Sequence, residues 1–252
     1  MAVLDRTRIR DTGISLGAKA IHHLEGIIAW GSKIGDVPVF DSSQFPWACA
    51  IETNWQAIRT ELDAVLNDID NIPAFQELSK DQRSLTTDQG WKTYFFYAFG
   101  FEATNHTDRC PETKRWLNTI PGMTTAFFSI FGPGKELPPH RGAFKGIVRY
   151  HLGLRVPEPK EECAITIAGQ VCNWDEGKSL IFDDTYIHSA WNRTDDTRVV
   201  LFVDFVRPLR FPANVVNWLV LSLIKASPFV KDAVANYQAW EAKLDLEVEP
   251  LD

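Results

Sequence analysis

The sequence predicts a mainly β chain, a sandwich or barrel flanked by helices at both ends. Three observations predict it. From about Trp91 the chain carries a series of short runs rich in aromatic and β-branched residues. Turn signals such as Gly132-Pro133-Gly134 and Glu176-Gly177-Lys178 recur between those runs at close spacing. From 126–131 to 198–206 no helical period separates the runs, which argues against a parallel α/β sheet.

The elements follow in order. Residues 14–31 place Ile14, Ala20, Ile21, Leu24, Ile27 and Ile28 on one helical stripe. Asn54 stands where it would cap a second helix, in which Ile58, Leu62, Val65, Leu66 and Ile69 recur at intervals of three and four. Pro111 suits the first turn of a short third helix carrying Trp116 and Leu117. Strands are expected at 91–100, 126–131, 146–156, 163–168, 179–182, 187–191 and 198–206. The 146–156 run alternates. Val148, Tyr150, Leu152, Leu154 and Val156 fall on one face, and Ile147, Arg149, His151, Gly153 and Arg155 on the other. After Pro208 the chain turns helical again. Residues 214–225 are apolar nearly all round, and 229–244 carry Phe229, Ala233, Val234, Tyr237 and Trp240 at helical spacing. Two readings of 214–225 stand: it closes off the barrel, or it meets a membrane surface. The expected organisation is a single domain over 1–252, with helical support at 1–90, the β core at 91–208 and helices at 209–252.

Composition narrows the function classes. With 45% hydrophobic and 23% charged residues, the chain reads as globular rather than disordered or coiled coil. Its net charge of −7, with no basic run, argues against nucleic acid as a partner. The first residues, MAVLDRTRIRDTG, are charged at once and do not read as a signal peptide. No apolar run reaches the ~20 residues of a spanning helix. A cytoplasmic protein is expected, soluble or peripheral at the inner face of a membrane. Cys49, Cys110, Cys163 and Cys172 form no CxxC pair and read as reduced thiols, most of them small core side chains.

Of the six histidines, His22, His23 and His106 read as exposed. His22 and His23 are helix neighbours that point apart, and His106 sits in the polar run NHTDRC. His140, His151 and His188 fall at or inside strands. His140 and His188, brought together from separate strands, can hold one divalent metal through neutral imidazole, although a single buried histidine is more often structural. Arg149 shares a face with His151, and Arg198 opens the last strand. On an inward face each arginine requires a carboxylate, and its planar fork suits a bidentate one. A metal-chelating dicarboxylate such as 2-oxoglutarate would meet that need. Alternatively, both arginines face solvent and pair with local acids.

Three stretches carry a resemblance: SIFGPGKELPPHRG (129–142), RYHLGL (149–154) and NWDEGKSLIFDDTYIHSAWNRTDDTRVVLFVDFVRP (173–208). Over about 91–208 the chain resembles the aspartyl/asparaginyl β-hydroxylase family of iron(II)- and 2-oxoglutarate-dependent oxygenases. The resemblance implies a double-stranded β-helix (jelly-roll, cupin-like) core. By position, His140 and His188 match the catalytic iron ligands. Arg198 matches the arginine that binds the distal carboxylate of 2-oxoglutarate, and Ser129 matches its helper. Arg149 and His151 match the pair near the carboxylate at the metal end, and Trp91 matches a cofactor-pocket tryptophan. Gly142 stands where most 2-oxoglutarate oxygenases place an acidic third ligand; the family resembled here also has glycine there, with water expected in its place. Asp184 is either an acceptor behind the ligands or a plain turn residue.

The implied reaction consumes 2-oxoglutarate and O2 and yields succinate, CO2 and a hydroxylated product. The family spans Asp/Asn hydroxylases and bacterial lipid hydroxylases. The apolar end helices, and a layout without the anchor or long repeat domain of animal members, favour hydroxylation of a lipid acyl chain. The alternative is β-hydroxylation of Asp or Asn in a peptide or of a small amino-acid-like substrate. A second alternative is a non-catalytic cupin-like binding module, which would not need both histidines and both arginines.

Overall fold

A computed structural model describes residues 24–79 and 85–248, without the side chains of residues 229 and 244–248. The expected helix over 14–31 is seen from residue 24 as α1 (24–31); residues 14–23, with His22 and His23, lie outside the described residues.

The strands are β1 (Val39–Phe40), β2 (Trp91–Ala98), β3 (Phe101–Glu102), β4 (Met123–Phe131), β5 (Lys135–His140), β6 (Ile147–Arg155), β7 (Cys163–Ile167), β8 (Gln170–Asn173), β9 (Ser179–Phe182), β10 (His188–Asn192) and β11 (Arg198–Val206). They form a seven-stranded sheet, β1-β9-β6-β11-β4-β2-β3, and a four-stranded sheet, β5-β10-β7-β8. Neighbours pair antiparallel throughout. The fold is therefore mainly β, a jelly roll of two facing sheets with flanking helices. Trp91, Phe131, Leu137, Ile165, Ile167, Trp174, Phe182 and Val200 fill the space between the sheets.

The helices are α2 (Pro46–Thr53), α3 (Trp55–Leu66), α4 (Phe75–Leu78), α5 (Thr104–Arg109), α6 (Pro111–Leu117), α7 (Ala213–Ala226) and α8 (Pro228–Val248). Ala48, Ile51, Ile58, Leu62 and Leu117 of α2, α3 and α6 cover the outer face of the large sheet, against Val148, Tyr150, Leu152 and Leu154 of β6. The alternation along β6 is thus realised, except that Val156 lies beyond the strand. Its second face, with Arg149 and His151, turns toward the small sheet. Both faces of β6 are buried, one by helices and one by the barrel interior.

Several expectations are corrected. Asn54 caps no helix with its side chain. It is the single residue between α2 and α3, and its amide donates back to Ala50 O at 2.9 Å. Residues 135–140, outside the expected strand ranges, form β5. Pro138 and Pro139 cannot donate to a ladder, and β5 tolerates them because it is an edge strand paired with β10 alone. The 1–90 segment is not wholly helical, since Val39 and Phe40 pair with β9 and extend the large sheet. His106 is not exposed. It lies inside α5, 6% exposed, with its ring stacked on Tyr94 at 3.8 Å and its Nδ1 2.8 Å from Phe95 O. Burial pushes its pKa down to about 4. Cys110 and Cys163 are buried, Cys172 is half-buried and Cys49 is exposed.

Candidate active site

The interior residues converge from six strands, β2, β4, β5, β6, β10 and β11. His140 closes β5 and His188 opens β10, and the antiparallel register sets the two directly opposite each other. Their ring centroids are 4.1 Å apart. Each Nδ1 lies against the carbonyl two residues earlier: His140 to Pro138 O at 2.8 Å and His188 to Tyr186 O at 2.9 Å. A carbonyl only accepts, so each Nδ1 carries the proton and each Nε2 keeps its lone pair. Burial lowers both pKa values, and the Arg149 charge lowers them further. His188, which also faces His140, falls to about 3. Two neutral imidazoles side by side, each with its Nε2 lone pair kept, suit one divalent cation. Among the described residues no third His, Cys, Asp or Glu joins them as a metal-holding group.

Gly142 explains part of that. A Cβ at this position would fall 2.1 Å from the Asp184 carboxylate, and Gly142 N donates to Asp184 O at 2.6 Å. The space a side chain at 142 would need is therefore filled by Asp184. Burial raises the Asp184 pKa to about 6 against the pull of Arg149, with Asp204 and Asp183 adding to the rise. Asp184 is buried in an ion pair with Arg149 at 2.9 Å, which is more than a plain turn residue does.

The two arginines, alike in sequence, have different surroundings. Arg149 is occupied. Its Nε and Nη2 donate to the Asp204 carboxylate at 2.9 and 3.1 Å, Nη2 also meets Asp184, and the guanidinium lies 4.3 Å over Phe202. Burial alone would lower its pKa, but Asp184 and Asp204 outweigh burial and raise it. Arg149 thus pairs with acids, yet inside the barrel rather than in solvent. Arg198 is 2% exposed and has no carboxylate partner among the described residues. Its guanidinium is sandwiched between Phe131 at 3.7 Å and Trp174 at 4.6 Å. Nη1 donates to Ser129 O at 3.1 Å, while Nε finds no partner. Burial lowers its pKa to about 9, so it remains charged at neutral pH.

Ser129 and Trp91 lie with Arg198. Trp91 Nε1 donates to Ser129 Oγ at 3.1 Å, and Arg198 Nη1 is 3.5 Å from the same oxygen. His151 lies between the two groups, near enough for Arg149, Arg198 and His188 all to depress its pKa, although burial is the larger cause. Trp174 Nε1 donates to His151 Nδ1 at 3.2 Å, which leaves the His151 Nε2–H buried and unpaired. All seven sequence-predicted residues therefore line one interior. Sequence reasoning missed Trp174, which touches both His151 and Arg198, and the acids that occupy Arg149. Trp174 falls just after β8, outside any alternating run, so no periodic signal marked it.

A buried cation without an anion and a buried N–H without an acceptor are costly alone. Both fit a ligand bearing carboxylates, and the histidine pair fits a metal at its other end. The donor set therefore suits a metal-bound diacid.

A family profile described as aspartyl/asparaginyl beta-hydroxylase matches residues 52–208. The match begins in α2, well before the motif-bearing stretch. The chain is 49% identical over 230 residues to a Rhizobium tropici protein named ornithine lipid ester-linked acyl 2-hydroxylase, covering 88% of this chain and 82% of that protein. It is 30% identical over 164 residues to the human aspartyl/asparaginyl beta-hydroxylase, covering 63% of this chain but only 21% of the human protein. On the extent of the profile match and on the Rhizobium relative, the chain belongs to the aspartyl/asparaginyl β-hydroxylase family.

Proposed function

We propose that this chain is an iron(II)- and 2-oxoglutarate-dependent hydroxylase that adds one oxygen atom to a lipid acyl chain. The observation that carries the reading is Arg198, a fully interior cation with no counter-ion of its own, in the same barrel as two neutral, paired imidazoles. His140 and His188 would hold the iron through Nε2. Arg198, steadied by Ser129, would take the far carboxylate of the co-substrate, and the His151 Nε2–H would donate to one of its oxygens. Bound there, iron and the 2-oxo diacid would supply the oxidising power that turns O2 into an inserted hydroxyl, with succinate and CO2 released.

The chain's own residues do the rest by position. Trp91, Phe131, Trp174, Phe182 and Phe202 wall the interior and keep water from it. Arg149 holds Asp184 in place behind the histidines. The protein's contribution is orientation and exclusion of water, not proton abstraction. The acyl substrate is supported by the Rhizobium relative, whose similarity runs over 88% of this chain at 49% identity, against 63% at 30% for the human relative.

The test is to incubate the protein with iron(II) and 2-oxoglutarate and offer a bacterial lipid extract or, separately, peptides containing Asp and Asn. The expected result is one added oxygen atom on a lipid acyl chain by mass spectrometry, abolished by His188→Ala. Oxygen gained by peptides and not by lipids would overturn the substrate.

A further inference from the structure

We propose that α1 and α7 form one docking face for the surface of a bilayer containing anionic lipid, set at the metal end of the barrel. This extends the lipid reading, but its test uses neither iron, co-substrate nor turnover.

The two helices are tied into a single surface. Ser32 and Leu209 form a bridge, Arg210 N donates to Gly31 O at 2.8 Å and Lys33 N to Pro208 O at 2.9 Å. This bridge joins the end of α1 to the segment that leads into α7. The inner side is packed, with Ile28, Ala213 and Val220 closing on Phe144 and Leu209. The outer side is apolar and bare: Trp30 is 71% exposed, Phe211 78%, Trp218 66%, Leu219 52% and Leu223 71%. On α7, Val215, Trp218, Leu219 and Leu223 recur at three and four, while Ala213, Asn217 and Val220 face inward. That is one stripe of large, exposed apolar side chains, the kind of patch that marks an interaction surface.

Charge selects the occupant. Although the chain carries −7 overall, residues 209–226 hold Arg210 and Lys225 and no acid. Exposed tryptophans with basic residues at the ends of the stripe suit the boundary between headgroups and acyl chains. Across a symmetric contact between two copies these bases would face each other, and the acid of α1, Glu25, is already paired with Arg141. Among the described residues no single helix is long and apolar enough to cross a membrane, although α7 and α8 together pass by length and composition as a bent pair. The packing of Ile28, Ala213 and Val220 on Phe144 and Leu209 keeps one side of the helices on the chain and supports a face that lies on the bilayer.

Placement gives the face a purpose. The loop that follows His140 packs on the same two helices. Phe144 sits in their cluster, Arg141 Nη2 pairs with Glu25 at 2.9 Å, and Asn217 Nδ2 donates to Gly146 O at 3.0 Å. Beside the stripe a cavity of about 410 Å³ opens, walled by Met123, Leu209, Trp218 and Leu221, with Lys225 among its lining residues. A lipid leaving the bilayer would meet this apolar space before the barrel mouth.

The experiment is flotation of the full, metal-free chain with vesicles of phosphatidylcholine alone or mixed with phosphatidylglycerol. The wild type should float with the anionic vesicles, and less as salt is added. Trp218→Ser/Leu219→Ser/Leu223→Ser together should reduce partitioning about tenfold or more, with the circular dichroism of the metal-free chain unchanged. Trp30→Ser, on the other helix, should weaken flotation in the same direction and serves if the triple variant fails to fold. Wild-type protein left at the bottom with anionic vesicles would overturn the proposal. So would variants that float as well as wild type, or a wild-type dimer that these substitutions convert to monomer, which would assign the face to a second copy.

Discussion

Replacing Arg198 with methionine should strengthen the empty protein and cripple co-substrate binding. Burial lowers this guanidinium from the ordinary 12.5 to about 9. At 1.36 kcal/mol per unit, the interior disfavours its charge by about 5 kcal/mol. The residue stays protonated at neutral pH both folded and unfolded, so the fold bears that cost throughout. Methionine removes the charge and keeps a flexible apolar stem between Phe131 and Trp174, at the loss of two ring contacts and the bond to Ser129. A net gain of about 1–4 kcal/mol is expected in the ligand-free protein, by analogy with buried charges replaced by apolar residues. For a chain of this size that is a rise in Tm of a few to about ten degrees. The diacid should lose about 2–5 kcal/mol of binding, roughly a 30- to 5,000-fold weaker Kd. Thermal melting of the metal-free protein, and calorimetric titration of 2-oxoglutarate with manganese(II) under anaerobic conditions, read the two effects separately. A fall in Tm with unchanged affinity would refute the reasoning, because it would make Arg198 a structural residue whose charge is satisfied within the fold.

Other perturbations test neighbouring parts. His188→Ala should abolish the visible spectrum of the cobalt(II)-loaded protein while leaving the apo circular dichroism unchanged; a retained spectrum would place the metal elsewhere. Gly142→Ala drives a Cβ to 2.1 Å from the Asp184 carboxylate. It should cost about 1–3 kcal/mol by overpacking, read as a lower urea midpoint, and an unmoved midpoint would contradict the close approach. His106, with a folded pKa of about 4 against 6.5 unfolded, takes up its proton in the unfolded chain first as pH falls. Stability should therefore decline between pH 6.5 and 4 by up to about 3 kcal/mol from this residue, and His106→Gln should flatten that part of the Tm profile. Parallel profiles for the two proteins would show that His106 is not the group responsible.

The barrel was legible where a residue pattern reports burial directly. β6 alternates because its two faces meet different cores, helices on one side and the small sheet on the other. β5 was not legible, since its two prolines argue against a strand and only its edge position, a tertiary fact, permits one there. The pairing of His140 with His188 depends on a register between distant segments that no local period encodes. The resemblance of the flanking motifs indicated it instead. The arginines show the limit most plainly. Arg149 and Arg198 both lie inward on long strands, and nothing near either in sequence tells that Asp184 and Asp204 satisfy one while only rings and Ser129 surround the other. His106 likewise looked polar by its neighbours but is turned inward by the helix that carries it.

The most direct measurement is native mass spectrometry of the protein loaded under anaerobic conditions with iron(II) and 2-oxoglutarate. The geometry of His140, His188 and Arg198 predicts a mass of one chain, one iron and one diacid, with the diacid retained only when iron is present and both lost in His188→Ala. A wild-type chain that takes up the diacid equally with and without iron, or takes up neither, would contradict it.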